Sequence, residues 1–322
     1  MEPRPQIHFY IPKRDLPNGP AEPEALLAAG PTRHVTAGVL GWTVLTCQRL
    51  RARGIPCTLG SERPRNAILL GHCRSLPPRF SPGPDQLLVS IRADSHAHPF
   101  AQLQVVQNPL QATGRCNVWI PSWTQPGLVP RDARRGDQIR TVAYFGEPEN
   151  LHPDFRTTAW EDALRERGLE WALRGQGAWH DFRDVDVVVA FRPGNPAHQR
   201  HKPATKLINA WLAGVAAILP PEPAYVAMRE TEHDYLEASD ATSALACIDR
   251  LCRDAGLYRA MREQGAVRGA AFSPEATTDR WAAFLEDHAI PAWRTWCALP
   301  GWRQRLWRMG RRLPRWNPPT RP

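Results

Sequence analysis

His201–Asp240 reads HKPATKLINA WLAGVAAILP PEPAYVAMRE TEHDYLEASD, and its order of residue types decides the fold. Lys202 and Lys206 open the stretch. An apolar helical run over Asn209–Ala213 follows, then Gly214 as a stop, a strand over Val215–Leu219 and the acidic Glu222 in the next turn. A cationic helix start leading into a buried strand suits an anion, because free N–H groups, helix dipole and lysines all favour negative charge there. Lysine is unfavourable against that dipole without a compensating anion, so Lys202 and Lys206 read as phosphate ligands ahead of two solvated side chains.

Working outward, DVDVVVAFR (Asp184–Arg192) is an apolar strand that delivers Arg192 at its carboxyl end, and RTVAYFGEPENL places a strand over Thr141–Phe145 that closes on Gly146. Without a Cβ, Gly146 lets the backbone approach a ligand, although a glycine at a strand end is more often only a turn. A helix is expected from about Phe155 to Arg167. Beyond the opening stretch come a helix over Tyr225–Arg229, a strand over Asp234–Glu237 and helices near Ala241–Asp254, Leu257–Gly269 and Pro274–His288. Alternating strands and helices with continuous apolar strands predict a parallel sheet covered on both faces.

The first half repeats the pattern. A strand over Ile7–Ile11 leads into a Pro/Gly-rich stretch to about Thr32, read as irregular. VTAGVLGWTVLTCQRLRARG has helical spacing at Val39, Trp42, Leu45, Cys47 and Leu50 with Gly54 as its stop, and strands follow at Cys57–Leu59, Ala67–Leu70, Leu87–Ile91 and Gln102–Val106. The loop IRADSHAHP then sets Arg92, Asp94, His96 and His98 beyond a strand end, where ligands bind in doubly wound sheets. A solvated loop with an internal Arg–Asp pair explains it equally well. A metal site from Asp94, His96 and His98 is disfavoured, since no partner cluster accompanies them.

Pro121–Asp137 is rich in proline, glycine and charge, and reads as an interdomain linker. The expected organisation is a domain over 1–123, a linker over 124–139, a second domain over 140–290 and a tail over 291–322. Net charge is +9, but eight of the 41 basic residues and none of the 32 acidic ones fall in 291–322, leaving the body at +1. Seven scattered cysteines form no C-x-x-C pair, which argues against a disulfide framework or zinc site and for a reducing cytoplasm. No signal peptide and no apolar run of spanning length is visible.

The run K-P-x-x-K-L-x-N-A-W-x-A-G-x-x-x-I-L-x-x-E at Lys202–Glu222, DYLEASD, LYRAMREQGAVRGAAFSPE and RWAAFLED resemble the second domain of glycosyltransferases of family 1/4 type with the GT-B fold. The likeness covers about Thr141–Asp287; the first half shares strand–helix order and phrases such as VVQNP. It implies an α/β protein of two facing Rossmann-like domains with an interdomain cleft. The implied activity is sugar transfer from a nucleotide-sugar to a glycan, glycolipid or other hydroxyl acceptor. The nucleotide-sugar is then a co-substrate, with no further cofactor and no metal. Donor contacts are expected from Gly146, Arg192, Lys202, Lys206, Asn209 and Glu222, with Arg192 and Lys206 neutralising the leaving diphosphate. Asp94, with His96 in reserve, is the candidate general base. Where retaining members carry two glutamates eight positions apart, this chain has His201 and Asn209, which leaves retaining and inverting chemistry, and a non-catalytic nucleotide-sugar-binding or glycan-binding relative, all open.

In the tail GWRQRLWRMGRRLPRW, Trp302, Leu306, Met309 and Leu313 share one helical face and arginines fill the others. Such a helix suits an anionic membrane, so peripheral contact through residues 293–316 at the inner face of a membrane is one expectation, and a lipid-linked acceptor would follow from it. An arm packing its tryptophans on the first domain is the other. Nucleic-acid binding through the tail is the least favoured reading, because the neutral body continues no basic groove.

Overall fold

A computed structural model describes residues 4–16, 22–30, 37–194 and 199–312. The chain divides into two compact units, one of Met1–Val106, Thr113–Val118 and Thr278–Pro322, the other of Gln107–Ala112 and Trp119–Thr277.

In the first unit β1 (Gln6–Tyr10), β2 (Cys57–Gly60), β3 (Ala67–His72), β4 (Gln86–Ile91), β5 (Leu103–Val106) and β6 (Asn117–Trp119) form one sheet in the order β2-β1-β3-β4-β5-β6. The pairs from β2 through β5 are parallel. β3 and β4 are buried at every position, as continuous apolar runs require. Two elements here differ from expectation. The stretch read as irregular contains helix α1 (Pro23–Ala29), with proline at its first position and Gly30 at φ 71° closing it; residues 17–21 and 31–36 of that stretch lie outside the described residues. Strand β6 was not expected, being three half-buried residues without alternation. Helix α2 (37–52) follows, one turn of it, Leu40–Val44, wound as a π-helix.

In the second unit β7 (Thr141–Phe145), β8 (Glu170–Arg174), β9 (Val187–Val189), β10 (Ala216–Leu219) and β11 (Leu236–Glu237) form an all-parallel sheet in the order β11-β10-β9-β7-β8. Helices α3 (Thr158–Glu166), α4 (Thr205–Ala213), α5 (Pro223–Met228), α6 (Ala241–Arg253) and α7 (Ala255–Ala270) cover it. Successive strand residues point to opposite faces, and both faces are apolar. Ala143, Phe145, Val188 and Ala217 pack with Leu207, Ile208 and Trp211 of α4. Val142, Tyr144, Val187 and Ile218 pack with Trp160, Leu164, Ile248 and Tyr258. Gly214 ends α4 in the left-handed conformation, φ 69° and ψ 35°, and releases the chain into β10.

The segment expected to be a linker is instead folded into the second unit. The N–H of Arg131 donates to the Ala213 carbonyl at 2.9 Å, and Val129 bridges to Asp181. Its anchor is Asp186, fully buried, which accepts from Arg131 Nε at 2.8 Å, from Arg135 Nη2 at 2.6 Å and from the N–H groups of Arg140 and Thr141 at 2.8 and 2.9 Å. Burial would raise the Asp186 pKa, yet Arg135, these N–H groups and Arg131 together hold it below the usual carboxylate range.

The second boundary also moves. Helix α8 (Pro274–Phe284) crosses the division, and α9 (Ile290–Ala298) and α10 (Gly301–Arg312) belong to the first unit rather than to the second domain or a free tail. Three side chains fix this end to consecutive carbonyls before β4: Trp296 Nε1 to Gly83 at 2.9 Å, Gln304 Nε2 to Pro84 at 2.9 Å and Trp293 Nε1 to Asp85 at 3.0 Å. Trp293, Trp296 and Gln304 are themselves buried, so this end of the chain packs on the first unit through side chains that lie before the stretch 301–316 as well as within it. Trp302, Leu306 and Met309 are exposed, and Leu313 lies outside the described residues. Among the described residues no helix is long and apolar enough to cross a membrane.

Candidate functional site

Counted by its own strands, the second sheet runs 2-1-3-4-5, so its strand order reverses between β7 and β9. Chains leave adjacent strands in opposite directions at such a point, opening a crevice beyond their carboxyl ends where ligands bind. Gly146 follows β7 there, and Arg192 follows β9.

Four of the expected donor contacts converge at this place. Lys206, in the first turn of α4, donates to the carbonyl of Phe145 and holds its Nζ 4.3 Å above the centre of the Tyr144 ring. Gly146 sits at φ 149°, and a Cβ there would lie 2.8 Å from the Tyr144 hydroxyl and 2.9 Å from Lys206 Nζ. Only glycine leaves both groups room. Arg192 donates to the Tyr225 hydroxyl at 3.1 Å and faces Glu222 at 3.8 Å. Glu222 is 2% exposed, and among the described residues neither of its oxygens has a hydrogen-bond partner; the buried Tyr144 hydroxyl has none either.

The electrostatics follow from burial. Lys206 is pushed down to about 7, by burial first and then by the positive charges of Arg192 and Lys202, with Glu222 opposing. Burial raises the Glu222 carboxyl against the pull of Arg192, Lys206 and Lys202. Tyr144 is pushed up to about 12, and Tyr225 also rises, both chiefly by burial. Burial disfavours the Arg192 charge, but Tyr225 and Glu222 outweigh it and the guanidinium stays protonated. Two cations therefore share one carboxylate that has no hydrogen-bond donor. An anion carrying hydroxyl groups would satisfy both sides.

Lys202 joins the cluster through its field, while its carbonyl accepts from Asn108 Nδ2 at 3.3 Å. Asn209 is buried, and its Oδ1 accepts from the N–H of Gln125 at 3.1 Å, so it serves the fold of the 119–139 segment. His201 meets Gln111. Trp211 is buried with its Nε1 donating to the Asp234 carbonyl at 2.9 Å, a core role. Sequence reasoning passed over Tyr144 and Tyr225; the visible signal was a tyrosine in each of the two runs, TVAYF and PEPAYVAM, that flank the chosen residues.

Solved structures share this two-sheet arrangement. The chain is similar to Anabaena HepE in complex with UDP-glucose (TM-score 0.54, 13% identity, 88% of this chain and 99% of that one). It is similar to the sucrose-phosphate synthase of Thermosynechococcus elongatus (0.55, 12%, 88% and 99%). A third is a glycosyltransferase from Rickettsia africae (0.55, 10%, 89% and 99%). The fold is that of the GT-B glycosyltransferases. No family model and no curated protein matches the sequence.

In this GT-B chain the expected base belongs to the first unit. Asp94 lies beyond β4 and pairs with Arg74 at 3.6 Å, and the preceding Ala93 takes a positive φ of 49°. The exposed His96 accepts at its carbonyl from Cys73 Sγ at 2.9 Å. His98 turns inward: its Nδ1 accepts from the Phe100 N–H at 3.3 Å, which leaves Nε2–H to donate to the Pro77 carbonyl at 3.0 Å. Burial lowers its pKa, so it serves as a neutral structural group. Among the described residues no three His, Cys, Asp or Glu side chains gather as metal ligands.

Proposed function

We propose that this protein is a glycosyltransferase that binds a nucleotide-sugar at the β7/β9 switch point and transfers the sugar to a hydroxyl acceptor, a glycan or lipid-linked glycan. The observation that carries the reading is the meeting of Arg192, Lys206 and the Cβ-free backbone at Gly146 where the strand order reverses. In the reaction the anomeric C–O bond to the diphosphate breaks and its electron pair leaves on the diphosphate oxygen. Arg192 and Lys206 stabilise that developing charge, a task for which fixed cations in a buried site are well suited. Glu222 accepts a hydroxyl of the ribose or sugar. The acceptor oxygen bonds to the anomeric carbon and gives its proton to a base, for which Asp94 is first choice and His96 second. The donor's complex with UDP-glucose in HepE supports the donor class.

A non-catalytic nucleotide-sugar-binding protein is the second reading. It is favoured by Asn209, a neutral side chain already engaged with Gln125. Nucleotide release from a panel of UDP-, GDP- and dTDP-sugars, read beside donor-binding calorimetry with and without EDTA, decides between them. Turnover that EDTA leaves intact is expected. Binding without turnover selects the second reading, and no binding by any donor refutes both.

A further inference from the structure

Helix α10 docks through a mixed face that holds both Gln304 and Trp307. Its residues at 304, 307, 308 and 311 form the face toward the first unit. Gln304 is buried, donating to the carbonyls of Pro84 and Trp296 at 2.9 and 2.8 Å, and Trp307 packs against the cluster around Tyr10 and Phe80. The opposite stripe is apolar. Trp302, Leu306 and Met309, at spacings of four and three, are 59, 58 and 60% exposed. Helices of water-soluble proteins bury such a stripe, since bringing apolar surface into water is unfavourable.

Charge identifies what covers it. Exposed Arg303 and Arg305 border the stripe on its two sides, with the Arg303 guanidinium 5.2 Å from the Trp302 ring centre. The helix holds five arginines and no acid, and no acidic residue occurs after Asp287. A second copy of the chain laid on this stripe would set arginine against arginine. Nucleic-acid strands call for stacked aromatic platforms, whereas two of the three residues of this stripe are Leu306 and Met309. An anionic lipid surface meets both demands: acyl chains for the stripe, headgroup phosphates for the arginines. Twelve residues span about 18 Å, too short to cross a bilayer and suited to lying in its plane.

We propose that the outward stripe of α10, Trp302, Leu306 and Met309 with Arg303 and Arg305, seats the protein on anionic lipid membranes. The stripe belongs to the first unit and the donor cluster to the second, so its test needs no nucleotide-sugar. The full chain is sedimented with phosphatidylcholine vesicles, with and without phosphatidylglycerol, and tryptophan emission is followed with brominated acyl chains. Binding to the phosphatidylglycerol vesicles alone is expected, with quenching of emission. The triple variant Trp302→Ser, Leu306→Ser, Met309→Ser changes exposed side chains only, so it keeps its fold by circular dichroism and loses about a hundredfold in partitioning. Arg303→Glu with Arg305→Glu loses a similar factor, less at high salt. Equal binding to both vesicle types overturns the proposal, as does an undiminished triple variant. So does a triple variant whose only effect is to dissociate a dimer in sedimentation velocity, or binding of single-stranded RNA without vesicle binding.

Discussion

Replacing Glu222 with glutamine separates two things the carboxylate can do. It is 2% exposed, its oxygens have no hydrogen-bond partner among the described residues, and its nearest cation, Arg192, is 3.8 Å away. As an acceptor for a ribose or sugar hydroxyl it makes a charge-assisted bond worth about 1.5–3 kcal/mol, which glutamine largely forfeits, so nucleotide-sugar affinity falls by about tenfold to a hundredfold. As a negative charge beside Arg192 and Lys206 it repels any diphosphate. At an effective dielectric of about 20 and a separation of about 8 Å, that repulsion is about 2 kcal/mol, less when solvent and counterions screen it. Inorganic pyrophosphate carries the charge and lacks the hydroxyls. Glu222→Gln is therefore expected to weaken the nucleotide-sugar and tighten pyrophosphate, a crossing of signs measured by calorimetry of both ligands on both proteins. Equal shifts in the same direction would refute the assignment of Glu222 to a donor hydroxyl.

The remaining predictions concern the groups around it. Lys206, lowered from 10.5 to about 7, leaves the unfolded chain holding a proton that the folded one has shed between those values. This group thus makes stability climb as pH rises through that window and decline as pH falls toward 7; Lys206→Met is expected to flatten the slope in denaturant titrations at pH 7 and 9. Donor binding at pH 8 is expected to take up a proton through the same group, seen as a dependence of binding heat on buffer ionisation enthalpy. Gly146→Ala forces a positive φ on a Cβ residue and sets that Cβ 2.9 Å from Lys206 Nζ; a cost of about 1–3 kcal/mol in unfolding and weaker donor binding are expected. Asp186→Asn leaves Arg131, 1% exposed, without its carboxylate, at a cost of about 3–5 kcal/mol by urea denaturation, partly recovered by adding Arg131→Met.

The sheet was legible because parallel strands buried on both faces have a composition of their own. AILLGH, QLLVSI, TVAYF and AAIL announce themselves without any partner being known. What went unread depends on partners far along the chain. Residues 124–139 carry the proline, glycine and charge of a linker, and nothing local says that Arg131 and Arg135 belong to a carboxylate 55 and 51 positions on. Trp293 and Trp296 look like part of a basic tail until their indoles meet the carbonyls of Asp85 and Gly83, more than 200 residues back. Helix α1 differs, because proline at its first position and glycine at its close mark it locally, while the proline and glycine content of the surrounding stretch is that of a loop.

The site shows the same division between residue type and neighbourhood. Arg192, Lys206 and Glu222 could be chosen by chemistry and by the strand ends they follow. Their meaning came from being gathered largely out of water, Glu222 buried and Arg192 and Lys206 half-buried. A guanidinium, an ammonium and one carboxylate would leave a net positive charge largely out of water, and Lys206 relieves it by holding its proton only weakly, near pH 7. Under the proposed function, an arriving diphosphate would reverse that balance, restoring the proton to Lys206 and giving Arg192 a stronger partner than the carboxylate 3.8 Å away. Glu222 would then be free to accept a hydrogen bond from a hydroxyl of the same ligand. A ligand with phosphates and hydroxyls a few ångströms apart satisfies all three side chains at once, whereas a bare anion leaves Glu222 without a donor and a neutral sugar leaves the cations uncompensated.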